Sequence, residues 1–292
     1  MGDFREAIGR LEAALELIAN EPNTNVLRLH ILKGLGLAHI RYGNYGKAFS
    51  YSQEGLALVQ KTQARIYEED LLLDCGLAAW FAGIYPEALK FNYAARALAE
   101  DTGDREGVGL LKANLGMTYR NAGDLMLSLK IGTEAVDLLS ELGVKRMEGQ
   151  ARNRAGHTPL ALERWQEADD MYAAALEVWA PLNNPNIYEA KAGRSVTALR
   201  PGRQAEALQL VDDVLAFAVD DALRQVVEPV LMLLNCETVL SEAGHAAGGV
   251  EVLTLVKNWM DTIASRDDDE AFRYADLHNV PAHRRLRERL DG

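Results

Sequence analysis

Gly36-Leu37-Ala38-His39, Gly76-Leu77-Ala78-Ala79 and Gly116-Met117-Thr118-Tyr119 align without a gap, and their spacing decides how this chain folds. Each opening glycine is followed seven residues later by another, Gly43, Gly83 or Gly123. Five residues further stands a small residue, Ala48, Ala88 or Ser128, and the step between units is 40 residues. Counting on gives Gly156 and Ala168, then Gly202 with Ala207 and Gly244 with Gly249, after steps of 39 and 42. Counting back, Gly2-Asp3-Phe4-Arg5-Glu6-Ala7 matches Gly83-Ile84-Tyr85-Pro86-Glu87-Ala88. A repeat therefore covers residues 1 to about 260, the mark of stacked units.

Each marker has a physical reason. The first glycine lets one helix approach its partner closely, and the second ends that helix at a turn that needs a permissive backbone. An aromatic or leucine follows (Tyr45, Tyr85, Leu125, Trp165) to pack under the turn, and the small residue beyond it lets the second helix sit tightly. Between the markers, apolar residues recur at helical spacing, as in Leu11, Leu15 and Ile18 or Val136 and Leu139. No alternating strand pattern appears, so each unit reads as two antiparallel helices.

Ala113-Asn114-Leu115-Gly116-Met117-Thr118-Tyr119 followed by Asn121-Ala122-Gly123-Asp124 resembles the tetratricopeptide repeat signature. The 40-residue step resembles its long variety, in which a linker such as Asp101-Thr102-Gly103-Asp104-Arg105-Glu106-Gly107 joins successive helical pairs. The resemblance implies an all-α, right-handed superhelical solenoid of antiparallel helix pairs. The expected organisation is a half unit plus six pairs over residues 1–265, with C-terminal capping helices over 266–292.

Two regions depart from the pattern. Pro159 stands inside the first helix of the fifth unit, which is expected to kink or end early, and Glu163 takes the place of the turn glycine. This reads as drift in a tolerant array; the alternative is a bend that reshapes the inner surface. At the C-terminus, Asp267-Asp268-Asp269-Glu270 reads as a solvated helix start, and Pro281 as the first-turn proline of a terminal helix over 282–290 that covers the last apolar face. Ala271-Phe272-Arg273 and the run Leu277 to Arg284 resemble the closing segment of repeat regions in large bacterial regulators that join an ATPase or cyclase module to such repeats. The chain opens at the turn of a unit, which is expected of a piece of a longer polypeptide. That would leave the stripe Phe4, Ile8, Leu11, Leu15, Ile18 partly uncovered, and either self-association through residues 1–20 or fraying there is expected from it.

Composition excludes several function classes. The formal charge of −12 and pI near 5.0 argue against direct nucleic-acid binding and against an anionic membrane surface. No apolar run approaches a membrane span, and two cysteines in 292 residues fit a reducing, cytoplasmic setting. Neither Cys75 nor Cys236 sits in a reactive motif, the six histidines lack metal-ligand spacing, and no phosphate-cradling glycine loop occurs. No catalytic residue, metal or cofactor is expected.

In this architecture the first helix of each unit lines the concave surface. Counting from the unit glycine, the inward positions are Lys33, Arg41, Asp74, Trp80, Asn114, Arg120, Asn121, Asn153, Arg154, His157, Arg200 and Asn235. In families with similar repeats an asparagine at the position of Asn114 and Asn235 grips the backbone of an extended peptide, because an amide offers both a donor and an acceptor. The expected function is a non-enzymatic interaction module that binds a protein or peptide segment in its groove. The alternative is a small-effector-sensing arm of a bacterial ATPase- or cyclase-linked transcriptional regulator.

Overall fold

The computed structural model describes residues 4–291, and among them there are fifteen α-helices and no strand. The chain divides into two compact units, Met1–Asp104 with Asp261–Pro281, and Arg105–Met260 with Ala282–Gly292.

The first unit opens with α1 (Phe4–Leu17) and continues with two antiparallel pairs, α2 (Asn25–Tyr42) with α3 (Tyr45–Thr62) and α4 (Glu68–Phe81) with α5 (Tyr85–Thr102). The turn between α2 and α3 shows why the glycine recurs. Gly43 adopts φ +95°, and the left-handed step lets its N–H reach the carbonyl of His39 at 2.9 Å while Asn44 N–H reaches the same carbonyl at 3.0 Å. The Asn44 side chain then caps α3 by accepting from Lys47 N–H.

The stripe on α1 is covered on one side by α2. Ile8 is buried with Ile31, Leu35 and Ala38 of α2, and Leu11, Leu15 and Ile18 pack half-buried around them. Phe4, Leu11, Leu15 and Ile18 stay half-buried, as expected of a stripe with no helix before it.

The C-terminal chain returns to this unit through α14 (Glu270–Asn279). Asp269 caps α14 in the expected way, accepting from Ala271 and Phe272 N–H. Asp267, read as part of a solvated helix start, is instead buried and accepts the N–H groups of Tyr45 and Gly46 at the start of α3. Phe272 packs on Phe49 of α3, with ring centroids 5.4 Å apart. α14 thus lies on α3.

The second unit holds α6 (Arg105–Ala122) with α7 (Leu125–Glu141), α8 (Lys145–Ala161) with α9 (Trp165–Trp179), and α10 (Ile187–Leu199) with α11 (Gln204–Phe217). Then come α12 (Pro229–Glu242), α13 (Ala246–Ala264), whose last residues belong to the first unit, and α15 (Pro281–Asp291). In α6 the unit glycine meets backbone: a Cβ on Gly116 would lie 3.3 Å from the nitrogen of Gly132 in α7. In α8 the same position faces a ring, 2.8 Å from Tyr172 Cε1. Arg285 of α15 donates to Thr238 Oγ1 of α12 at 2.6 Å, and Arg289 pairs with Glu237 at 3.8 Å, so this helix does lie on the last first-helix of the array.

Pro159 does not end α8 early. The helix runs through it to Ala161, where the ladder closes with Leu162 N–H on Thr158 O and Arg164 N–H on Pro159 O. The proline lacks the N–H that would bond the carbonyl four residues before it and its ring crowds that carbonyl, but with two residues left to the helix end little helix remains to be redirected. Glu163 takes φ +58°, so the turn keeps its left-handed step without a glycine.

Candidate functional site

The inner helices of the second unit carry polar residues at matching register, and these converge. Asn114 and Arg120 come from α6, Asn153, Arg154 and His157 from α8, and Glu189 from the first turn of α10; all six are buried. Asn114 and Arg154 are one repeat step apart and touch directly, Arg154 Nη1 donating to Asn114 Oδ1. Asn153 Nδ2 donates to Glu189 Oε2 at 2.9 Å. The other oxygen of Glu189 accepts the backbone N–H groups of Val227 and Glu228, the latter at 2.7 Å. Arg120 Nη2 meets the Glu228 carboxylate at 2.5 Å, and Asn121 Oδ1 accepts from Arg120 Nε and Nη2 at 3.0 and 2.9 Å. Tyr172 of α9 completes the site, its hydroxyl 2.8 Å from His157 Nδ1.

Burial sets the charge state. It holds the His157 imidazole down at about 4, with Arg120 and Arg154 adding to the effect over the opposing pull of Glu228, so this histidine is neutral at physiological pH. Burial also raises the Glu189 carboxyl to about 7, with Glu228 adding to it. Burial would raise Glu228 as well, but the Arg120 guanidinium leads the charges and hydrogen bonds that hold it below the ordinary carboxylate value. The site thus sets two guanidinium groups against one fully ionised carboxylate and one that titrates near neutrality.

Several polar atoms in it lack partners: Arg120 Nη1, Arg154 Nε, His157 Nε2 and Asn153 Oδ1 are buried without a hydrogen bond. Asn235 of α12 is buried as well, and its Nδ2 is unsatisfied. Buried polar groups are nearly always paired, and these atoms are exceptions, as are His39 Nδ1 and Nε2, Ser52 Oγ, Asp74 Oδ2 and Asn92 Oδ1 in the first unit.

The remaining expected positions are less joined. Arg200, also in the second unit, is exposed, bonded to Glu242 at 2.8 Å, with its guanidinium 4.7 Å from the Trp165 ring centre. In the first unit, Lys33 pairs with Asp70, Arg41 is exposed, and Trp80 is buried edge-on against Phe81. Asp74 is buried with Oδ2 unpartnered, and burial followed by Asp70 raises its carboxyl to about 7. Cys75 and Cys236 are both fully buried, and desolvation raises both thiols, Cys75 to about 12. Such groups are packing residues rather than nucleophiles.

Glu189, Tyr172 and Glu228 were not among the expected residues. Glu189 lies one turn before the inward positions used for counting and could have been found by extending the count. Tyr172 is on an outer helix, and Glu228 is in a connection with no repeat register, so neither carries such a signal.

The chain has the TPR-type fold of helical repeats. Its structure is similar to that of a Rap protein complexed with Competence and Sporulation Factor, with TM-score 0.65 and 11% identity over 94% of this chain and 79% of that one. It is also similar to NprR in complex with its cognate peptide NprX, with TM-score 0.63 and 14% identity over 97% and 82% of the two chains. A third likeness is to a signal transduction ATPase with numerous domains and a tetratricopeptide repeat sensor from Pyrococcus horikoshii. There the TM-score is 0.60 and the identity 18%, over 88% of this chain and 39% of that one. No family model matches the sequence, and no curated protein matches it.

Proposed function

We propose that this chain is a non-enzymatic interaction module that binds an extended protein segment on the first helices of its second unit, α6, α8, α10 and α12. The observation that carries the reading is the set of buried polar side chains on the first helices α6, α8 and α12, Asn114, Arg120, Asn153, Arg154 and Asn235, of which all but Asn114 keep an unpartnered atom. Asn114, Arg154 and Asn235 share one register of the repeat, and amide and guanidinium groups there offer donors, and the amides also acceptors, to the repeating C=O and N–H of a peptide. The histidine there is held neutral by burial and bonded to Tyr172, and both thiols of the chain are buried.

The NprR structure, a complex with its cognate peptide NprX, supports this choice of ligand class, since that protein has the fold described above. Selecting a random twelve-residue peptide library on the full chain tests the proposal. A selected peptide should lose at least tenfold in affinity, by calorimetry, with Asn114→Ala or Asn235→Ala. Unchanged affinity in both variants, with their folds intact, would place the binding elsewhere.

A second reading, a repeat arm that senses a small effector within a larger ATPase- or cyclase-linked regulator, is favoured by the enclosure of the site. A buried cluster of this kind suits a compact polar ligand, and the Pyrococcus horikoshii protein joins such a sensor to an ATPase. Peptides that fail to bind while a small anion raises the melting temperature would favour it.

A further inference from the structure

The connection between α11 and α12, residues 218–228, is the longest between any two described helices. It forms no α-helix, only a 3-10 stretch, Asp220–Gln225, between the extended residues Val219 and Val226. Leu223 and Val226 bury their side chains and anchor it. Its last residues enter the polar site, where Val227 and Glu228 present their N–H groups to Glu189 and the Glu228 carboxylate meets Arg120. Two consecutive peptide N–H groups and a carboxylate are what an acidic peptide would present. The chain supplies them itself, to side chains on two different repeats.

The fit is incomplete. Arg120 Nη1 and Arg154 Nε stay unsatisfied, and the Glu228 carboxylate pairs with Arg120 while acting on Arg154 only through its charge. An unsatisfied buried donor is costly, so an occupant that reached both arginines would hold the site more strongly. A tethered occupant has the advantage of proximity, because a short linker gives an effective concentration of about millimolar.

We propose that residues 218–228 are a resident occupant of the binding face, and that the partner is an acidic peptide segment whose carboxylate takes the place of Glu228 and engages both Arg120 and Arg154. This rests on the segment-binding function proposed above and names the partner's chemistry. Displacement of the resident is then part of binding, and weakening the resident increases affinity for the partner.

The probe is a fluorescently labelled peptide with the sequence of residues 219–230, titrated by anisotropy into the full chain and into Glu228→Gln. The variant is expected to bind it at least tenfold more tightly than the parent. A peptide whose own glutamate is replaced by glutamine is expected to lose at least tenfold on the variant. Glu228→Asp, which keeps the charge but shortens the reach, is the second variant and should also bind more tightly than the parent, which keeps the test decisive if Glu228→Gln fails to fold. Equal affinity of parent and folded variants, or of the two peptides, overturns the proposal. If peptides selected from the random library bind parent and Glu228→Gln alike while still depending on Asn114, segment binding stands and the resident-occupant idea falls.

Discussion

The backbone N–H of Gly46 donates to the carboxylate of Asp267 at 3.1 Å, across 221 residues of sequence. Tyr45 N–H donates to the same oxygen at 2.9 Å, and Asn44 takes the N–H of Lys47. Between them Asn44 and Asp267 satisfy three of the four orphan donors at the start of α3. A carboxylate there also faces the positive end of the helix dipole. Asp267→Ala should therefore destabilise the first unit by about 1–2 kcal/mol, the usual effect of losing a cap. The neighbouring Asp268, exposed beside Lys47, should tolerate alanine with little change in melting temperature. Differential scanning calorimetry of the two variants checks the contrast.

Backbone strain and close packing give opposite expectations at three positions of the second unit. Glu163 holds φ +58°, which costs a side-chain-bearing residue about 1 kcal/mol, so Glu163→Gly should raise the stability by up to that amount. Gly132 lies inside α7 with the nearest groups to an added Cβ at 3.6 Å, so Gly132→Ala should stabilise by about 0.5–1 kcal/mol through helix propensity. Gly116→Ala should destabilise, because its Cβ meets the backbone of α7. Chemical denaturation of the three variants measures all of this.

Much of this pattern was legible in the sequence. The turn glycines and the small residues that follow them recur at a fixed step because every helical pair meets the same two constraints, a left-handed turn and a close crossing. Glu163 looked like a break yet kept the turn, because one strained residue is cheaper than losing the register of a whole pair. Asn114, Arg120, Asn153, Arg154 and His157 were found by counting from the unit glycine. Their burial was not foreseeable, because Glu228, which meets Arg120 from 108 residues away, lies in an irregular connection. The docking of Asp267 on α3 is equally non-local. Periodicity reports what repeats, and both contacts occur once.

Burial changes what alanine does at Arg120. An exposed groove residue would leave the melting temperature nearly unmoved, but Arg120 is buried against Glu228. Removing one partner of a buried pair leaves the other charge uncompensated, at about 3–5 kcal/mol. Arg120→Ala should therefore lower the melting temperature by several degrees. Pairing it with Glu228→Gln should recover part of the loss, and a double-mutant cycle by thermal denaturation reads the coupling.

Two groups in the site give opposing pH dependences. The folded value of Glu189, about 7, lies above the ordinary 4.5, so the native state retains a proton that the unfolded chain releases. Its contribution to stability is present below pH 4.5 and is lost as pH rises to 7. His157 has a folded value of about 4 against 6.5, so the unfolded chain binds the proton first and stability is lost as pH falls from 6.5 to 4. Glu189→Gln removes the first slope. Between pH 5 and 6.5 the stability of this variant should rise more steeply with pH than that of the parent, by at most about 1.4 kcal/mol per unit. Urea midpoints across that range check it.

The most direct measurement maps where a bound segment lies. A library-selected peptide carrying one benzophenone is cross-linked to the full chain under light, and the modified residues are located by mass spectrometry. The expected adducts lie on α6, α8, α10, α12 or residues 218–228. They should disappear when unlabelled peptide is added in excess. Adducts confined to the outer helices α7, α9 and α11, or to α1, would contradict binding on the first-helix face.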